Sequence, residues 1–304
     1  MALVVNTVQQ IVIMFEIILI GILCYRLKIL DSVKNKVFSE VLLKVVTPAL
    51  VISSFQSEFT KELLHGLLIS LGLAVISYGI SIFLPTVLIR PSKDYDYIIG
   101  RFTCMYSNCG YIGIPLVYGI FGKEGVFYIT SFSAVFNILV YTHGANIMNK
   151  EKFKFSIKKM ISPAIVGVFL GLVFFLCQIR LPYLLLRPME MLADMNTPLA
   201  MLVAGVSIAQ TNVRELIKDR RIMKFSMMKL ILIPGIFVLI CRMLPLPYTV
   251  MMTAVLATAC PSAAIVILFS LKYERNDVYA SEIFSETTIL SIVTIPLMVA
   301  LATV

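Results

Sequence analysis

Charge is the scarcest property of this sequence. Only 14% of its 304 residues are charged, where a soluble domain carries about 25%. Hydrophobic residues make up 59%, and the mean hydropathy is +0.94. A soluble enzyme or binding domain is excluded, and the chain reads as an all-α integral membrane protein. No Lys or Arg precedes the first apolar run, and Glu16 interrupts it. That run is therefore expected to stay as a span, not to be removed as a signal peptide. The linkers are brief, and no low-complexity segment occurs. Cysteine never appears in C-x-x-C spacing. Cys24, Cys104, Cys109, Cys177, Cys241 and Cys260 lie in or beside apolar stretches and read as small packing residues, not as disulfides or metal ligands. H-E-x-x-H, G-x-S-x-G and metal-ligand clusters are absent. Gly119-Ile120-Phe121-Gly122-Lys123 lacks the spacing of a phosphate loop and falls in a linker expected on the outer side. No catalytic residue, metal or cofactor is expected. His65 and His143 lie near span ends and read as satisfied or exposed side chains.

What is present is a series of apolar segments near the ~20 residues that a helical span requires. Ten are counted, at about 4–25, 37–56, 66–89, 97–121, 125–146, 161–179, 195–210, 226–243, 249–271 and 279–301. The net charge of +9 would suggest nucleic acid in a soluble protein. Here it fits basic loops facing anionic lipid, with the bilayer and not a nucleic acid as partner. The odd-numbered linkers and the span ends beside them hold 20 of the 26 basic residues, Lys229 among them. By the positive-inside rule those linkers are cytoplasmic and both termini face outward.

The two halves resemble one another. Thr47-Pro48-Ala49-Leu50 matches Thr197-Pro198-Leu199-Ala200, and Gly21 matches Gly171. An interruption at Cys109–Pro115 has a counterpart at Cys260-Pro261-Ser262. This predicts two five-helix repeats, residues 1–146 and 161–304, joined by a basic linker at 147–160. Five is odd, so the second repeat must be inverted, as in several secondary transporter folds.

The stretch Tyr106 to Leu116 is where a spanning helix is expected to break. Asn108, Gly110, Gly113 and Pro115 all work against continuous helix. Broken backbone at membrane depth is tolerated where it is buried or lines a cavity. The plain alternative is a kink that only aids packing. Pro115 and Pro261 each suit the first turn of a new half-helix. Two half-helix N-termini meeting near the midplane would attract an anion without any buried Lys or Arg. Asn108 offers an amide, and Ser107 and Ser262 offer hydroxyls. The structural alternatives are a helix–helix hydrogen bond for Asn108 and simple packing for the serines. Charges at depth are functional candidates by default. Glu16 lies mid-span, as a coupling carboxylate or as half of a structural pair. Glu282 and Glu286 share one face of the last span and read as structural, near water. Lys44 lies about two turns inside the second span, with its partner undecided.

Asn108-Cys109-Gly110-Tyr111-Ile112-Gly113-Ile114-Pro115-Leu116 resembles the N-x-G-[FY]-x-G-x-P-L signature of the auxin efflux carrier family, which includes the plant PIN carriers and bacterial permeases for malate and malonate. The likeness extends to Lys44–Leu50, to Pro261-Ser262-Ala263, and to the tract from Tyr273 through Asp277, Ala280, Thr287 and Ser291 to Pro296. The resemblance implies ten helices, with helices 4 and 9 crossed, and transport of organic anions by an elevator-like motion. It also implies a homodimer. The chain lacks the long central loop of the plant carriers and resembles the compact microbial form. The expected activity is a secondary active permease of small organic anions such as malate or malonate in the plasma membrane. A coupling proton or sodium ion is the accessory that such a carrier would use. A sodium-coupled carrier of the bile-acid symporter type is the nearest alternative. A channel would show a filter loop or charged rings, and a membrane enzyme would show a catalytic constellation.

Overall fold

The computed structural model describes residues 2–93, 95–149, 163–210 and 219–303. Most of the expected linker at 147–160, with its five lysines, lies outside the described residues, as do Arg214 and Lys218. The described residues form helices and no strands beyond one isolated bridge. In chain order these are α1 (Ala2–Arg26), α2 (Ser32–Ser54), α3 (Lys61–Leu88), α4 (Tyr97–Met105), α5 (Cys109–Met148), α6 (Pro163–Leu176), α7 (Tyr183–Asp194), α8 (Asn196–Ala209), α9 (Arg220–Arg242), α10 (Tyr248–Ala259), α11 (Ile265–Lys272) and α12 (Asp277–Thr303). Among the described residues seven helical stretches are long and apolar enough to cross a membrane, and α6 and α10 are shorter apolar helices.

The apolar segments do not map one to one onto helices. The fourth divides into α4 and the first part of α5, and the ninth divides into α10 and α11. α5 then runs on to Met148 past a sharp turn at Gly122, whose φ of 60° needs a residue without a Cβ. The seventh segment begins earlier than hydropathy suggested. α7 starts at Tyr183 and meets α8 through Met195, so Pro188, read from sequence as linker, lies inside a helix. α7 carries Arg187 and Glu190 on an exposed face, which lowers its average hydropathy below that of a span.

Polar side chains start several helices. Asp31 accepts from the Lys34 N–H at 2.8 Å, which holds its carboxyl below the usual carboxylate range. Thr60 caps α3 by accepting from the Leu63 N–H, and Asp96 caps α4 by accepting from the Ile98 N–H. Three helices contain a wide π turn just before a proline: Leu42–Val46 before Pro48, Cys109–Gly113 before Pro115, and Met228–Leu232 before Pro234. The common cause is that proline has no N–H to donate and its ring crowds the carbonyl four residues back, which a wider turn relieves.

The helices pack in two groups: α1, α2, α6, α7 and α8, and α3, α4, α5 with α9–α12. Glycines set the closest approaches in the first group. A Cβ on Gly205 would lie 2.2 Å from the Ile18 carbonyl oxygen, and one on Gly21 would lie 2.5 Å from that of Leu202. α6 rests on α2 in the same way, with Gly171 over Phe55 and Gly167 over Pro48. In the second group Ser70 donates to the Tyr128 carbonyl at 2.8 Å, and Ser77 shares a 2.8 Å hydrogen bond with Thr258. Arg275 ties the ends of α4, α5 and α11 together through Asp96 at 2.8 Å and the Met148 carbonyl at 2.7 Å. All six cysteines are free thiols.

Gly205→Leu should separate α1 from α8. Because the obstacle is backbone, we expect a loss of about 1–3 kcal/mol or failure to fold. Gly72→Ala, where nothing lies within 4 Å of the added carbon, should be neutral or slightly stabilising. Thermal unfolding of the two variants in detergent checks the contrast.

Candidate functional site

The two interrupted segments meet. α4 ends at Met105, Tyr106 turns extended, and Ser107 pairs antiparallel with Ser262, which follows the end of α10. The Asn108 N–H donates to the Pro261 carbonyl at 2.8 Å, and the Ala263 N–H donates to the Tyr106 carbonyl at 2.9 Å. The Ser262 N–H reaches the Thr287 hydroxyl of α12 at 3.3 Å. Each break thus supplies partners that the other has lost, and no backbone group there has to be left dry and unbonded.

Beyond the bridge the chains turn back into helix. The Asn108 side chain accepts from the Tyr111 N–H at 3.3 Å and caps α5. This is a capping role, not the helix–helix bond considered from sequence. α11 begins at Ile265. Among the described residues the N–H groups of Gly110, Ala264 and Ile265 have no backbone acceptor. These three residues, with Cys109, line one cavity of about 310 Å³, bounded by α2, α5, α6 and α11. Its wall is mainly apolar, with polar points at Asn108, Asn137, Tyr111, Thr47 and Lys44. It extends from the crossing toward Pro163 at the start of α6 and Leu268 in α11. Lys272 and Arg275 follow at that end. A cavity of this size suits a small solute, and two converging helix N-termini favour an anionic one.

The opposite side of the crossing holds a lysine. Lys229 is 0% exposed and donates from Nζ to the Ser107 hydroxyl. That hydroxyl donates in turn to the Thr258 carbonyl at 3.3 Å. α9 brings Lys229 there by packing on α4, with Phe225 against Gly100 and its carbonyl accepting from the Cys104 thiol at 3.5 Å. The π turn at Met228–Leu232 carries the lysine. Among the described residues Lys229 has no ion pair with a carboxylate. It lies at the C-terminal ends of α4 and α10, where the helix dipoles present partial negative charge.

Several expectations are corrected. The crossing does contain a buried lysine, which the sequence placed at a linker. Sequence marks it only as a lone Lys within Met227-Met228-Lys229-Leu230-Ile231-Leu232. Pro261 does not open a half-helix. It sits in the extended connection, because its carbonyl is needed by Asn108. Pro115 lies in the first turn of the α-helical part Ile114–Leu139, as expected, directly after the π turn Cys109–Gly113. Asn108 and Gly110 face the cavity. Ser107 and Ser262 are buried in the bridge, and Gly113 faces Ile129 and Cys260. Glu16 is exposed on α1, opposite the buried Ile11, Met14 and Ile18, and away from the crossing. Lys44 pairs with Glu40 at 2.7 Å, both exposed, and lines the cavity. Glu282 is half-buried. Glu286 is 4% exposed and faces the Ser226 hydroxyl, so it is not near water as expected. His143 is satisfied by Tyr106 at 2.9 Å. Asn137 and Ser133 in α5 also line the cavity, unremarked from sequence.

A family profile described as membrane transport protein, Mem_trans, matches residues 6–299. No curated protein matches the chain.

Gly110 and Gly113 separate the cavity from the packing around it. A Cβ on Gly110 meets nothing within 4 Å, whereas one on Gly113 would lie 3.1 Å from Ile129 and 3.2 Å from the Cys260 sulfur. Gly113→Val should therefore lower stability by about 1–3 kcal/mol. Gly110→Val should unfold close to wild type while filling the cavity. Thermal unfolding followed by tryptophan-free probes such as thiol-reactive dye uptake measures both.

Proposed function

The chain belongs to the Mem_trans family, the auxin efflux carriers, and from that premise we propose that it is a secondary active carrier of small organic anions such as malate or malonate. The family consists of membrane transporters and not enzymes. The observation that carries the anion reading is the polarity of the crossing. Two helix N-termini, with the N–H groups of Gly110, Ala264 and Ile265 free of backbone acceptors, open onto one cavity, while the opposing C-termini meet Lys229. Each N-terminus is equivalent to roughly half a positive charge. The negative ends lie on the far side of the bridge, so the nearer positive ends dominate the field in the cavity without a cation on its wall at the crossing.

The proposed architecture is ten spans in two inverted repeats, 1–146 and 161–304. It is supported by paired contacts at a constant offset. Gly21 meets Gly205 and Gly171 meets Phe55, and each member of one pair lies 150 positions from a member of the other. The proposed motion is elevator-like, with the group that carries the crossing sliding against α1, α2 and α6–α8. At the end away from the cavity mouth, two side-chain links join these groups: Lys123–Glu190 at 2.5 Å and Tyr118–Asp194 at 3.0 Å. Such exposed links are worth about 0–1 kcal/mol each and can be broken and remade in a cycle. With the basic linkers on the cytoplasmic side, the termini face outward and the cavity opens inward. A plasma-membrane location is part of the same proposal. A homodimer rests on the family likeness alone.

Uptake of radiolabelled malate into proteoliposomes tests this reading, with malonate, succinate, pyruvate and an indole carboxylate as competitors. Saturable uptake is expected, and Asn108→Ala should reduce it at least tenfold while unfolding near the wild-type temperature. Uptake that requires a sodium gradient would favour the bile-acid symporter type. Absence of uptake and competition in folded protein would sink the organic-anion assignment.

A further inference from the structure

We infer that Lys229 is the group that carries a coupling proton, gaining it as an anion binds at the crossing and losing it as the anion leaves. This rests on the anion-carrier reading above. The first support is isolation. The ammonium is wholly buried, its hydrogen bond goes to the neutral Ser107 hydroxyl, and no carboxylate of the described residues pairs with it. A buried charge without a partner is held weakly in its charged form, and lysine responds readily to such surroundings.

The second support is position. Ser107 is one residue from Asn108 and two from Cys109, so a single extended strand separates the ammonium from the cavity's N–H groups that lack backbone acceptors. A carboxylate bound there would add the negative charge that Lys229 lacks. Linkage is reciprocal: if the anion favours the protonated lysine, the protonated lysine favours the anion by the same factor. The proton comes from bulk water with the anion. As the N–H bond forms, an O–H bond of hydronium breaks, and anion and proton together enter with one negative charge fewer than the anion alone.

Other titratable groups surround this lysine. The thiols of Cys104 on α4, Cys109 on α5 and Cys260 at the bridge face it. The Tyr78 hydroxyl of α3 lies 3.7 Å from the Cys109 sulfur. Glu286 of α12 faces Ser226, one helical turn before Lys229 on α9. Glu286 is thus the only carboxylate named among these neighbours, and it must be separated from the lysine by the test.

The test uses the purified full-length protein in detergent, with malate as probe. Binding is read by calorimetry and proton uptake by a pH dye in weak buffer. Wild type should take up about one proton per malate bound, with affinity rising up to about tenfold per unit fall in pH. Lys229→Arg, which stays protonated, should bind malate without proton uptake and with little pH dependence. Lys229→Met should bind at least tenfold more weakly, also without uptake. Glu286→Gln should keep the proton. Malate binding by wild type without proton uptake, or uptake that persists in Lys229→Arg, would overturn the assignment while leaving the carrier reading intact. Loss of the proton in Glu286→Gln alone would move it to that carboxylate. Failure of folded wild type to bind malate or any competitor would remove the reading on which the inference rests.

Discussion

A peptide group inside an apolar bundle has no water to bond, and leaving one unpaired costs several kcal/mol. The arrangement of the second helix group follows from how this chain meets that constraint twice. Neither interruption is self-sufficient. Asn108 needs the Pro261 carbonyl and Ala263 needs the Tyr106 carbonyl. This mutual dependence fixes α4 and α5 against α10 and α11. It requires Gly113 to sit close to Cys260, and it draws Thr287 of α12 into the bridge.

The same geometry sorts charge. Helix ends of one sign point to the cavity and those of the other sign point to Lys229. Magnitudes decide which cation matters. Lys44 lines the cavity but is more than half exposed and already paired with Glu40 at 2.7 Å. An exposed pair of this kind adds about 0–1 kcal/mol and is screened by salt. Lys229 is wholly buried and has no carboxylate paired with it among the described residues, so gaining or losing its charge counts heavily in a medium of low effective dielectric constant.

The break at Tyr106–Leu116 was legible because glycine, proline and asparagine each have a mechanical consequence in a helix. Its partner at Cys260–Ser262 was legible through the offset between the halves. The start of α11 was not, because the demand on Pro261 comes from a residue more than 150 positions away. Lys229 was hidden for a different reason. A basic residue near the end of an apolar run looks the same whether it reaches water or turns inward, and only the packing of Phe225 on Gly100 decides. Glu16 shows the converse: α1 is apolar on every side, so hydropathy could not say which face carries the carboxylate. α7 was missed because its polar face masks its helix in an average.

The bridge between Ser107 and Ser262 is made by main-chain atoms. Substitution cannot delete it as it deletes a side-chain contact. The positions that look into the cavity, Gly110, Tyr111, Asn137 and Ala264 among them, can therefore change without undoing the junction that holds the broken helices together. A scaffold stitched in this way can be fitted to a different cargo by altering a few wall residues, while its structural seam is inherited unchanged.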